Sequence, residues 1–489
     1  MFYKQFFSIL ALPALALALL PSAAAALDAS SVLKRASAAM GSTELKTLAY
    51  SADGWGYTFG QAFVPNAHWP KIQIRSMERS INYDTASMRD LITFNRAEPK
   101  GGGGYPLVAP QTNYQFVSGG FAWNVAGGNP AGNPRFVPER IHELWVTPHG
   151  VLKAAIKNNA TLEFKTVGGR SLAAVSFTEA GRLKATAYIN DDFLVERVES
   201  RYPEHVQGET DVVTTYSGYR DFNGVKFPSL IQQKNNGRFT LDLTVTKVEP
   251  NAAVAIAVPD PVRNYAERIT TDKVADGVWF VAGASHNSVA IEMKDHLVLV
   301  ESPLGDFRTA PVIEAVKKLA PGKPIRFVVN SHHHYDHSGG VRAAAAEGAT
   351  IVTQARNKSH YEKILATKVS INPDLYAKSG KKGKVMAIGD KGQLTDGKRV
   401  IELHNIKNSI HTDTYLMVYL PAEKLLIEAD EYTPGPPNAK PPAQPDPRNV
   451  NLVNNIERLK LSVERILPLH GRVVPVAELY AVIGKTAPR

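Results

Sequence analysis

Residues 330–340 read Asn-Ser-His-His-His-Tyr-Asp-His-Ser-Gly-Gly, and no other stretch limits what the chain can fold into as sharply. Four histidines and an aspartate fall between positions 332 and 337. Neighbouring imidazoles compete for hydrogen-bond partners and repel one another when protonated, so a folded chain keeps them together only if something removes the conflict. A metal ion does, because it binds the neutral ring through a nitrogen lone pair. The stretch follows Arg326-Phe-Val-Val, which reads as a buried strand. In extended backbone, residues i and i+2 point the same way, so His332 and His334 converge on one ion. Asp336 and His337 come past the turn and face a second ion nearby, while His333 points away and is not expected to be a ligand.

The chain of 489 residues contains no cysteine, which excludes disulfides, thiolate ligands and a cysteine nucleophile. Any metal must be held by nitrogen and oxygen. Such a donor set suits zinc first, then iron or manganese. Two ions need more ligands than one loop supplies. His411 lies in Ser-Ile-His-Thr-Asp-Thr before a strand at Tyr415, Asp430 ends Lys424-Leu-Leu-Ile-Glu-Ala, and His470 follows Arg465-Ile-Leu-Pro-Leu. Each stands where a strand gives way to a loop, and together they have the chemistry to complete two shells.

With these residues in place, the segment from about 270 to 475 resembles the metallo-β-lactamase superfamily. The match covers the His-x-His-x-Asp-His loop, His411-Thr412, the strand-end Asp430 and His470-Gly471, in that family's order. The resemblance implies a four-layer αββα sandwich with the metals at the sheet edges. It implies that His332, His334 and His411 hold one divalent ion, that Asp336, His337 and His470 hold a second, and that Asp430 bridges both. It implies a hydrolase in which a hydroxide between the ions attacks an acyl carbon. Asp336 then passes a proton toward the leaving group, and Tyr432 is a candidate second donor to the oxyanion. Family members that hydrolyse β-lactams usually carry Cys or Ser where this chain has Asp430, and the basic residue some of them place three positions later is here Thr433. Members with Asp there are mostly hydroxyacylglutathione hydrolases, lactonases, sulfatases, nucleases and phosphodiesterases. An ester, lactone or thioester is therefore the expected small-molecule substrate. A β-lactamase is the alternative, and an exported binding protein with a subordinate metal domain is a third.

The remainder reads as two further units. Residues 1–26 have a basic start at Lys4, an apolar run from Phe6 to Leu20 and small residues Ala24-Ala25-Ala26, the pattern of a signal peptide. Export to the periplasm or the medium is expected, with no membrane span after cleavage. Residues 27–265 alternate with period two at Ile72-Gln-Ile-Arg, Thr161 to Val167 and Lys184 to Ile189, and Asn223-Gly224 marks a hairpin. This is an antiparallel β domain, opened by a helix over Ser31 to Met40 and faintly similar to bacterial lipoprotein-carrier sheets. The whole is an α+β chain, with the hydrolase-like domain at 266–489. Helices are expected at Pro311 to Leu319 and Asn451 to Arg465. His286 reads as an ordinary loop residue near the mouth of the site, and Pro434 to Pro447, with seven prolines in fourteen residues, as a stiff extended loop. The net charge of +10 is scattered, its densest run being Lys378 to Lys384, so nucleic acid is not expected as a partner.

Overall fold

The computed structural model describes Met1 and residues 27–102 and 110–487. The expected leader, Met1 apart, lies outside the described residues. Among the described residues, no helix is long and apolar enough to cross a membrane.

The first half forms one sheet of 13 strands. From the strand Thr47–Tyr57 the chain meanders outward through six strands to Asn129–Gly132. It crosses by two helices, Val137–Trp145 and Pro148–Lys157, to Thr161–Val167, and then meanders back. The last strand, Arg238–Pro250, pairs antiparallel with the first, from Leu48 opposite Pro250 to Gly56 opposite Leu241. Every pairing but this one and the helical crossover is local, as turn chemistry requires. At Asn223-Gly224 both residues have positive φ, 53° and 83°, the conformation of a tight hairpin turn. The two helices and the opening helix Ala29–Ala39 share the buried cluster of this sheet, with Val32, Leu144, Val151, Val198 and Phe227 in its core.

The second half is a stack of two sheets between helices. One has seven strands from Thr270–Ala275 to Lys384–Ile388, the other six from Lys391–Thr395 to Val474–Pro475. The strand Leu297–Val300 shows why both faces are covered: Val298 and Val300 pack between the sheets, while Leu297 and Leu299 pack against helix Asp306–Leu319 with Val312 and Val316. Alternate side chains point to opposite faces, and all four are apolar. The outer face of the second sheet is closed by helix Pro447–Leu459, through Leu452 and Ile456.

Two expected helices have different bounds. One begins at Asp306 rather than Pro311, and carries Pro311 inside it. The other starts at Pro447 and ends before Lys460, whose φ of 54° turns the chain, so that Arg465–Pro468 is free to become a parallel strand beside Leu425–Glu428. The proline-rich loop carries no regular element before Pro447 and is mostly exposed.

Candidate metal centre

One strand of the first sheet and two adjacent parallel strands of the second end at the site. Ile325–Val329 runs into the histidine loop, Leu425–Glu428 into Asp430, and Arg465–Pro468 into His470, while His411 precedes Leu416–Leu420. The structure brings the seven expected ligands together. Ligand atoms of His332, His334 and His411 lie within 4.8 Å of one another, as do those of Asp336, His337 and His470 with His286, and those of His332, His337 and Asp430. The side chains of Asp336, His470 and Asp430 keep 23%, 18% and 15% of their exposure and form the open side, whereas His332 and His334 are fully buried.

Acceptor-only partners fix the imidazole tautomers. His334 Nε2 donates to the Ala62 carbonyl (2.9 Å), so its Nδ1 lone pair faces His411 Nε2 at 2.9 Å. His470 Nδ1 donates to the Ser285 carbonyl (3.0 Å), and His337 Nδ1 to Glu301 Oε2 (3.1 Å). Ser331 Oγ spends its proton on Glu301 Oε2 (2.5 Å), so it accepts from His332 Nδ1 (3.0 Å). In each ring the other nitrogen is left as a lone pair turned into the cluster. His332 Nε2 and His411 Nε2 are 3.2 Å apart, and His337 Nε2 and His470 Nε2 3.1 Å apart. Opposed lone pairs at such distances repel unless a cation lies between them.

Asp430 stands where the two groups meet. Its Oδ2 is 2.9 Å from His337 Nε2 and 3.5 Å from both His332 Nε2 and His411 Nε2, and its Oδ1 is 3.2 Å from His470 Nε2. Despite these approaches, the buried Oδ2 makes no aligned hydrogen bond. A buried carboxylate oxygen ringed by imidazole nitrogens, with no aligned hydrogen bond, has the donor set of a metal-bridging ligand, so the residues fit a divalent pair. The electrostatics agree. Burial would raise Asp430, but His337, His411 and His470 hold it well below the usual carboxylate range. Burial also depresses His332, aided by His337 and His334, and lowers His334 to about 4. At His337 burial is outweighed by Asp430 and Asp336, which hold its value well above the ordinary one, so these acids draw a positive charge to its Nε2, as a proton or as a metal ion.

The first half of the chain reaches into this site. The segment after Thr47–Tyr57 lies on the histidine loop: Gln61 Nε2 donates to Asp336 Oδ1 (2.7 Å), and Ala62 fixes His334 as above. Tyr335 N donates to the Gly60 carbonyl, and Asp413 N to that of Phe63. Gly60 has φ +76°, and a Cβ there would lie 2.4 Å from Tyr335 Cγ. Gly60→Ala is therefore expected to lower the thermal midpoint of the full chain. The left-handed backbone alone costs ~1–2 kcal/mol, and the ring contact adds to it. An unchanged melting curve would show that the loop does not pack as described.

Tyr432 is placed away from the ligands. The Glu428 carboxylate accepts from the N–H groups of Glu431 and Tyr432 (3.0 and 3.2 Å), which turns the chain after Asp430 and sends the tyrosine ring into the core of the second sheet. It is 3% exposed, burial raises its pKa to about 12, and among the described residues no hydrogen bond or ring contact joins it to a ligand. Tyr415 does lie beside the ligands, 4.9 Å from the His332 ring between centroids and hydrogen-bonded to Asp430 N. His286 lies in the loop before Ser288–Glu292, as expected, but it is more than an ordinary loop residue. It is 8% exposed, and its Nε2 donates to Asp336 Oδ2 (3.2 Å) while Ser285 Oγ meets its Nδ1 (2.8 Å). Arg308, paired with Glu267 (2.7 Å), holds the His286 carbonyl in place (3.1 Å). Glu301, fully buried, accepts from Asn330 Nδ2 and Ser331 Oγ (2.5 Å each) and from His337. Its signal in the sequence is a carboxylate directly after the apolar run Leu297 to Val300. His333, not expected to be a ligand, is buried behind the ligands with its Nδ1 on Thr414 Oγ1 (3.0 Å).

Residues 282–431 match the family model of the metallo-beta-lactamase superfamily. No curated protein matches the chain. Among solved structures, a metallo-beta-lactamase from Pontibacter korlensis is similar at 18% identity and a TM-score of 0.35, over 44% of this chain and 98% of that one. A metallo-beta-lactamase from Pseudomonas aeruginosa in its mono-zinc form gives 20% identity and 0.33, over 44% and 93%. One from Hirschia baltica gives 20% and 0.33, over 45% and 99%.

Proposed function

We propose, from the metallo-β-lactamase-superfamily domain in the C-terminal half, that the chain is an exported dinuclear-metal hydrolase of esters, lactones or thioesters. The observation that carries the reading is the position of Asp430 between two groups of imidazole nitrogens, with an unbonded buried oxygen. His332, His334 and His411 would hold one ion, Asp336, His337 and His470 the other, and Asp430 both. Zinc is the first choice, iron or manganese the next. When bound, such a pair supplies a nucleophile from water at neutral pH and polarises a carbonyl oxygen.

The chain's own residues do the rest. Glu301 and Ser331 hold His337 and His332 with their cluster-facing nitrogens unprotonated. Asp336 lies on the open side with Oδ1 held by Gln61 and Oδ2 by His286, so a proton taken up there is within reach of a leaving group. His286 completes this arrangement as a positioning residue. Export is supported by the leader-like residues 1–26.

The test is metal analysis of the purified chain with a panel of ester, lactone, thioester and β-lactam substrates. Two ions per chain are expected, with turnover of at least one oxygen or thioester, lost on chelation and restored by zinc. Chelator-resistant turnover would overturn the reading, and nitrocefin as the sole substrate would move it to the β-lactamase alternative.

A further inference from the structure

The first sheet and helix Val137–Trp145 enclose a cavity of about 440 Å³, and its lining includes Tyr335 and Asp336 of the histidine loop. The cavity therefore ends at the metal centre. One wall is apolar: Ile72, Ile74 and Met77 from one strand, Met88, Ile92 and Phe94 from its neighbour. Ile72 and Ile74 share a face by period two. The register shift between Ile74 and Ser76 re-phases the strand, so that Met77 continues that face.

At the end shared with Asp336, the lining includes Arg135. Its guanidinium stacks over Phe136 at 4.4 Å, its Nε is buried without a partner, and among the described residues it makes no ion pair. The neighbouring Arg140 shows the contrast: it donates to the carbonyls of Phe116 and Trp123 (2.8 Å each) and to Asn124 Oδ1 (2.6 Å). The acids near Arg135 are otherwise engaged. Asp336 is held by Gln61 and His286, and Glu204 accepts from the N–H groups of Val206 and Gln207. Glu139 is pushed up to about 7 by burial. Arg135 is half-buried: its Nε is withdrawn from water without a partner, and its fork, which matches a carboxylate, has no protein acid paired to it among the described residues.

Resting on the hydrolase reading, we propose that this cavity binds the non-reacting part of the substrate, an apolar chain bearing an anionic group close to the scissile bond, with Arg135 receiving the anion. The first half of the chain is then the specificity element of the enzyme, and its metal domain the reactive one.

The test is calorimetric binding of decanoate, decanol and acetate to the full chain, both as purified and after chelation, with the melting temperature and metal content of each variant checked. Decanoate is expected to bind far more tightly than acetate. Arg135→Met is expected to weaken decanoate roughly tenfold or more and to leave decanol unchanged. Met77→Trp and, independently, Ile92→Trp are expected to fill the cavity and weaken both. Equal decanoate affinity in the native chain and Arg135→Met, or undiminished binding in both tryptophan variants, overturns the proposal. Decanoate binding that survives chelation and fails in Arg135→Met supports the cavity independently of the hydrolase reading. Turnover of acetyl esters without decanoate binding keeps that reading and overturns this one.

Discussion

Asp430→Ala is expected to abolish turnover, by on the order of 10³-fold or more, and to leave fewer than two ions per chain. The magnitude follows from position. Asp430 is the one carboxylate within 3.5 Å of ring nitrogens from both ligand groups, so its loss opens both shells at once. The fold should survive, because Oδ2 makes no hydrogen bond that the rest of the domain needs. The backbone N–H of Asp430 is tied to the Tyr415 hydroxyl, and alanine keeps that bond. Asp430→Asn separates coordination from shape: it has the same volume and no charge, and is expected to behave nearly as the alanine variant. Metal analysis and kinetics on the same preparations decide the matter. Two tightly held ions in both variants would remove Asp430 from the centre, and with it the bridged pair.

The seven residues that meet at the sandwich edge were legible for a physical reason. Metal-binding chemistry is dense in the sequence at 332–337, and His411, Asp430 and His470 each sit at a strand end, where alternation breaks off. The strand pattern of both halves was legible in the same way, from period-two alternation in the first and continuous apolar runs in the second. What was not legible is long-range. Gln61 and Ala62 contact Asp336 and His334 across 275 and 272 residues, and no local pattern marks a glutamine or a carbonyl for that task. The placement of Tyr432 was not legible for a related reason. Its spacing from Asp430 is correct for a site residue, but the direction of its side chain is set by Glu428, which captures two N–H groups of the turn. Helix ends were missed where a backbone conformation rather than a residue type decides them, as at Lys460.

Glu301→Gln is expected to weaken metal binding by roughly 10–100-fold and to lower the melting temperature of the metal-free chain as well. The carboxylate accepts from three donors, Asn330 Nδ2, Ser331 Oγ and His337 Nδ1. A glutamine offers one oxygen and one amide, so at least one of these donors would face another N–H inside a fully buried site. Breaking such a buried charged contact costs ~3 kcal/mol or more. The damage spreads because Ser331, freed from Glu301, no longer dictates the tautomer of His332, and His337 loses the acceptor that keeps its Nε2 bare. Glu301 also occupies a backbone with φ of 74°, which a side chain adopts only when its surroundings hold it there. Glu301→Asp keeps the charge but shortens the reach, and is expected to fall between the native chain and the glutamine variant. Competition titration with a zinc chelator measures the affinities. A glutamine variant with native zinc affinity would show that the histidine tautomers are set by the metal alone, and that the carboxylate behind them serves only the packing of the strand end.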